Sequence, residues 1–213
     1  MAEESSGVAS RDHYLEGYDD VLRFISYYYQ IDLVRGLGQG SVLEVGVGNK
    51  TVANYLQHNG FDVTTCDVDK SLMPDQVGDV RSLPFPDESY DVVLCSQVLE
   101  HLPWEEVEKA LSELHRVSRK HVIVSIPYSS LRFQFLFRFP YISKFFNRQY
   151  FNFFYRLPLP IKGRFSPDHP WEMGRKGYPG RKVRSMLEEN FQIVREVTPV
   201  LTHHHLFFVL EKK

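Results

Sequence analysis

The stretch VLEVGVGNKTVANYL, residues 42–56, decides the fold. An apolar run with a single acid inside it, Glu44, ends in Gly46 and Gly48, and a helical pattern opens at Thr51. Two glycines between a strand and a helix let the chain turn sharply and let a ligand lie against backbone that carries no Cβ. The phosphate-binding alternatives fit less well. A dinucleotide fingerprint places a third glycine where Thr51 stands, and a P-loop needs a glycine where Asn49 precedes Lys50 and Thr51. A carboxylate inside an apolar strand is costly unless paired, so Glu44 is expected to meet a cationic amino group or to order the loop.

Working outward, strands and helices alternate. A helix over 19–38 places Leu22, Ile25, Tyr29 and Leu33 on one stripe, with Asp19 or Asp20 to cap its start and Gly36 its end. Strands are expected at 41–46, 61–67, 76–80, 90–96 and 121–127, and helices at 51–59 and 103–117. In the second of these helices Pro103 suits the first position and Glu105, Glu106 and Glu108 crowd the positive end. A helix near 179–190 and a hairpin of 191–197 with 204–210 close the chain. Such alternation implies a mostly parallel sheet with helices on both faces, whose ligands bind outside the carboxyl ends of the strands. Asp67 ends the second strand about 20 residues after the glycines, the spacing of a carboxylate that holds ribose hydroxyls. Asp79 follows the third strand, where a carboxylate beside a backbone amide suits an adenine edge.

The chain has 213 residues, 43% hydrophobic and 24% charged, enough for one domain with an appended lobe. The expected organisation is a disordered tail over 1–12, then a single domain over 13–213. An N-terminal cover helix at 19–38 and an aromatic, basic cap inserted at about 128–178 complete it. The acidic, small-residue N-terminus does not read as a secretory signal, and there is no uncharged apolar run of membrane-spanning length, so a cytoplasmic protein is expected. Cys66 and Cys95 lie in apolar runs and read as buried, reduced thiols. The net charge of −2 hides an asymmetry: residues 128–184 hold twelve Lys/Arg against Asp168 and Glu172. Residues 128–164 alone hold thirteen aromatics and seven bases with no acid. That composition fits a lid packed on the body, a pocket for an apolar or anionic molecule, or a membrane interface. Single-stranded nucleic acid ranks last, for want of a known module.

VLEVGVGNK, the strand-terminal acid of VTTCD, and GDVRSLPFPDESYDVVLCSQVLEHL together resemble the class I S-adenosylmethionine-dependent methyltransferases, nearest to the type 11 group. The resemblance covers roughly residues 40–127. It implies a Rossmann-like α/β fold with a seven-stranded, mostly parallel sheet of order 3-2-1-4-5-7-6 and S-adenosylmethionine as cofactor. The implied reaction is methyl transfer to a small-molecule or lipid-like acceptor. It places Gly46 and Gly48 under the methionine portion with Glu44 beside them, Asp67 on the ribose hydroxyls and Val68 against the adenine. Asp79 and the Val80 amide would read the adenine edge, and Ser96 and Gln97 would border the methionine amine and the sulfonium. Two departures stand out: Lys50 replaces the third glycine of the usual loop, and Asp69 competes with Asp67 for the ribose. A non-catalytic cofactor-binding regulator and an NAD-dependent oxidoreductase are the alternative functions.

On the acceptor side, His101 and His169 are candidate general bases, and Tyr128, Asp168, Glu172 and Tyr178 candidate substrate contacts. His203, His204 and His205 would alternate faces in a strand, and no metal site is expected. The expected partner is a small-molecule or lipid-like substrate, an anionic one included, with peripheral membrane contact through 128–164 as a further option.

Overall fold

The computed structural model describes residues 18–138, 150–157, 168–202 and 204–213. The expected tail at 1–12, His203 and the middle of the cap fall outside the described residues. The chain runs α1 (Val21–Gly36), β1 (Ser41–Val45), α2 (Thr51–His58), β2 (Asp62–Asp67), β3 (Gln76–Val77), β4 (Tyr90–Ser96), α3 (Trp104–Val117) and β5 (Ser118–Pro127). It continues with β6 (Leu131–Phe137), β7 (Phe151–Leu157), α4 (Gly180–Asn190), β8 (Phe191–Val197) and β9 (His205–Lys212).

Seven strands form one sheet in the order β3-β2-β1-β4-β5-β9-β8. The first five are parallel, and β9 enters antiparallel to both β5 and β8. With β6 and β7 set aside as a separate ribbon, this is the expected 3-2-1-4-5-7-6. Winding proceeds outward from β1 to β3 and, on the other side, from β4 to β5. The direction therefore reverses between β1 and β4, and a crevice opens beyond their carboxyl ends.

Alternation along each strand sorts the core into two layers. Val42, Val92 and Leu94 pack with Val34, Val52 and Leu56 under α1 and α2. Leu43, Val93 and Cys95 pack with Leu111, Leu114 and Leu187 under α3 and α4. Both cysteines are buried and free. Truncating a fully buried leucine such as Leu111 would cost about 2–5 kcal/mol.

Three elements differ from expectation. The buried face of α1 is Ser26, Tyr27, Gln30, Leu33 and Val34, while Leu22 is exposed, because this helix covers a polar cavity rather than closing a core. Pro103 sits just before α3 instead of inside it. The cap holds two strands that the sequence reading does not contain: β6 and β7 pair antiparallel as a two-stranded ribbon. Among the described residues, no helix is long and apolar enough to cross a membrane.

Candidate functional site

At the β1–β4 crevice a cavity of about 340 Å³ opens, within the usual size of a small-ligand pocket. Its floor is the turn after β1. Gly46 and Gly48 take φ of +82° and +50°, and a Cβ on Gly46 would come within 2.3 Å of Val98 Cγ2. Lys50, which stands where the related loops carry a glycine, is itself left-handed at φ +64° and opens α2. The loop thus keeps the glycine geometry without the glycine, and the Lys50 ammonium donates to the Met73 carbonyl.

Two carboxylates order this floor. Asp67 accepts from the backbone N–H of Val47 at 2.8 Å and of Asp69 at 2.9 Å, which ties the end of β2 to the glycine turn. Burial raises its pKa, and those amides act against the rise. Glu44 lies on the α2 side of β1 and is buried, with Oε2 lacking any hydrogen-bond partner. Burial pushes its pKa up to about 8, with the Ala53 amide opposing. An orphaned carboxylate oxygen on the cavity wall fits a cationic amino group of a ligand, and the Cβ-free floor fits a ligand laid on the backbone.

The walls hold the other expected cofactor residues. Val68, Asp79, Val80, Ser96 and Gln97 all line the cavity. Ser96 Oγ and Ser125 Oγ are 2.6 Å apart, Gln97 Nε2 donates to Ser125 Oγ at 3.1 Å, and Gln97 is left-handed at φ +56°. Asp79, on the wall as expected, has a protein partner that the sequence reading did not give it. Its carboxylate is bound by the Arg81 guanidinium, which also pairs with Glu106, and this holds its pKa low. Asp69 does not line the cavity, because its carboxylate accepts from the amide and hydroxyl of Ser71. Between the two candidate ribose acids, the geometry favours Asp67.

The roof was only half legible. A cover helix was expected, but not that Arg23, Ser26, Tyr27 and Gln30 of α1 line the cavity. Their signal was present as polar residues spaced three and four apart in an aromatic helix. Asp19 fastens the helix over the turn by accepting from Asn49 Nδ2 at 2.9 Å and from the Tyr27 hydroxyl at 2.9 Å.

Of the six acceptor-side candidates, His101 alone lines the cavity. Its Nδ1 lies 2.8 Å from the Asp168 carbonyl oxygen, and its ring meets that of His169 edge to face. Asp168 contributes its backbone here; the residue itself is exposed. Glu172 is buried behind His169, bonded to His169 Nδ1 at 3.2 Å, Arg175 Nε at 2.6 Å and the Ser129 hydroxyl. Burial would raise its pKa, but these donors outweigh it and hold it at about 2. Tyr178 packs against Trp104 and Trp171, away from the cavity, with the Lys182 ammonium over its ring. Tyr128 lies beneath the Arg156 guanidinium, 3.7 Å from ring centroid to Cζ, and stays off the cavity wall. His204 and His205 are lowered by burial, His205 to about 3, and His205 Nδ1 meets Ser26 Oγ at 2.9 Å.

Residues 43–126 match the family model described as a methyltransferase domain. No curated protein matches the chain. Among solved structures, the N-methyltransferase NodS from Bradyrhizobium japonicum WM9, in complex with S-adenosyl-L-homocysteine, is similar at a TM-score of 0.61 and 11% identity, over 97% of this chain and 94% of that one. The magnesium protoporphyrin IX methyltransferase ChlM from Synechocystis PCC 6803, with bound S-adenosylhomocysteine, gives 0.61 and 16%, over 95% and 92%. The 1,6-didemethyltoxoflavin-N1-methyltransferase from Burkholderia thailandensis gives 0.59 and 18%, over 95% and 84%. At these identities the structures establish a shared fold.

Proposed function

We propose that this chain, an S-adenosylmethionine-dependent methyltransferase of class I through its domain at residues 43–126, methylates an apolar, lipid-like acceptor taken from an anionic membrane surface. The donor supplies an activated methyl group on a sulfonium. The protein is left to hold the donor, align the acceptor and exclude water. Glu44 Oε2 is suited to the donor's amino group, the Gly46–Gly48 backbone to its methionine portion and Asp67 to its ribose. Val68 and Val80 offer apolar surface for the adenine. Ser96 and Gln97 stand at the end of β4 where the reacting carbon would lie. Asp19, through Asn49 and Tyr27, keeps α1 closed over the whole.

The acceptor class rests on one observation, the β6–β7 ribbon. Its cross-strand pairs Leu131–Leu157, Phe133–Tyr155, Phe135–Phe153 and Phe137–Phe151 place eight apolar side chains on one face. Phe135, Phe153 and Tyr155 are 56%, 62% and 62% exposed. The other face turns to the body: Arg156 covers Tyr128, and Gln134 Oε1 accepts from the Leu201 amide at 3.1 Å. Val21, Leu22, Phe24 and Tyr28 of the cover helix are exposed as well. Aromatic faces of this kind settle at a membrane interface, and the basic excess of residues 128–184 suits an anionic one, at about 1 kcal/mol for each base that reaches the surface unpaired.

The test uses vesicles of phosphatidylcholine with and without phosphatidylserine, and a total lipid extract incubated with methyl-labelled donor. The chain should co-sediment with the anionic vesicles, release as salt rises, and label a species in the lipid fraction. Phe135→Glu with Phe153→Glu should abolish sedimentation while leaving the fold intact. Equal sedimentation by this double variant, or label confined to a water-soluble product, would contradict the lipid reading. Donor binding without labelling of any fraction would favour a regulator.

A further inference from the structure

At the turn after β4, beside the donor cavity, Glu100 is fully buried and neither carboxylate oxygen has a hydrogen-bond partner. A buried carboxylate is costly unless it is paired, protonated or bound to a metal. His101 and His169 stand next to it, and the ligand atoms of the three residues lie within 4.8 Å of one another. Both rings are fixed through Nδ1. The partner of His101 is the Asp168 carbonyl oxygen, at 2.8 Å, which can only accept. The partner of His169 is the Glu172 carboxylate, at 3.2 Å, anchored in turn by Ser129 and Arg175. With Nδ1 donating in each ring, the lone pair of the neutral imidazole sits on Nε2. Metal-binding histidines are oriented in this way, the second nitrogen donating to a carbonyl or a carboxylate.

We propose that Glu100, His101 and His169 bind a divalent transition-metal ion at the acceptor side of the donor cavity, with its open positions facing an acceptor oxygen. Two imidazoles and one carboxylate suit zinc, manganese or ferrous iron better than calcium or magnesium. Metal–ligand bonds of about 2.1 Å set ligand atoms about 3–3.5 Å apart, so the three groups close by about 1 Å on binding. Three protein ligands leave room for an exogenous one, and His101 reaches the cavity. Under the methyl-transfer reading, on which this role rests, an acceptor hydroxyl at the ion loses its proton to solvent more readily. Its oxygen lone pair then forms the bond to the methyl carbon, and the carbon–sulfur pair stays on sulfur, which becomes a neutral thioether. The two histidines serve as ligands, not bases.

The full chain, stripped with a chelator and free of any histidine tag, is titrated with Mn²⁺ and separately with Zn²⁺ by calorimetry, with Mn²⁺ also followed by EPR. S-adenosylhomocysteine binding is measured on the same samples. One ion per chain is expected, with binding at least about 10-fold weaker in Glu100→Gln and in His169→Ala and unchanged in His58→Ala. All variants should retain S-adenosylhomocysteine binding, so that lost metal uptake is not lost folding. No uptake of either ion at about 1 mM by a wild type that binds S-adenosylhomocysteine overturns the site. Undiminished uptake in both Glu100→Gln and His169→Ala also overturns it. Metal uptake without S-adenosylhomocysteine binding would support the site and contradict the methyl-transfer reading.

Discussion

The donor side and the acceptor side of the cavity are built differently. Residues 41–103 present ligand groups at strand ends, where the sheet fixes each Cα and the loop geometry follows. The described residues of 128–178 put no side chain on the cavity wall; they begin with a two-stranded ribbon and end in a segment pinned by the Glu172 cluster, which reaches the cavity only through His101. Strand ends are dictated by the fold, so a donor site of this kind is shared by many chains. A segment outside the main sheet is under no such constraint. The polar network of this region, around Glu172, lies behind the cavity rather than in it.

The largest effect should come from breaking the donor floor. Gly46→Ala adds a Cβ against Val98 at a φ of +82°, and strain plus overpacking should cost about 2–4 kcal/mol. The expected result is a lower unfolding midpoint together with loss of S-adenosylhomocysteine binding. A variant that binds normally would show the turn to be adjustable and the donor side less rigid than described.

The acceptor side should break through acid. The Glu172 pKa is depressed to about 2, so its contribution to stability is present above the unfolded value near 4.5 and is lost as pH falls from there through about 2. Relative to Glu172→Gln, the wild type should be roughly 2–3 kcal/mol more stable at pH 6, and the gap should close toward pH 2. Parallel denaturation curves across that range measure it, and a gap independent of pH would remove Glu172 as the anchor.

Glu44 works with the opposite sign. Burial raises its pKa to about 8, so the folded state loses stability as pH rises from about 4.5 to 8. Without ligand, Glu44→Gln should be roughly 1–2 kcal/mol more stable than wild type at pH 8, less so at pH 5, and should bind the donor more weakly. Stabilisation without weaker binding would separate this carboxylate from the ligand.

The smallest effect sharpens the comparison from within the loop. Lys50 holds a left-handed conformation that glycine adopts freely, so Lys50→Gly should raise stability by about 0.5–1 kcal/mol. The bond from its ammonium to Met73 offsets part of the gain. A clear loss of stability would give that bond the larger share.

These contrasts also explain what could be read beforehand. The crevice and the cavity positions of Glu44, Gly46, Gly48 and Asp67 follow from alternating apolar runs and a glycine turn, which are local signals, whereas the strand order and the place of Gln97 came only with the resemblance to the methyltransferases. The diversion of Asp79 to Arg81 was not legible, because a carboxylate at a strand end looks the same whether its partner is a ligand or a guanidinium. Tyr178 read as a substrate contact because turns and sites share residue types, while its packing on Trp104 and Trp171 depends on elements about seventy residues apart along the chain. The ribbon was hidden by composition: thirteen aromatics among seven bases fit a helix or a strand equally until pairing places every second residue on one face.

The central claim is that the crevice between β1 and β4 holds the methyl donor, and ligand-dependent unfolding tests it most directly. S-adenosylhomocysteine at about 100 times its dissociation constant should stabilise the wild type by roughly 2.7 kcal/mol, a rise of about 5–10 °C in midpoint. Asp67→Ala should lose most of that rise, and NAD should produce none. A shift with NAD and none with S-adenosylhomocysteine would contradict the account and return the glycine turn to the dinucleotides.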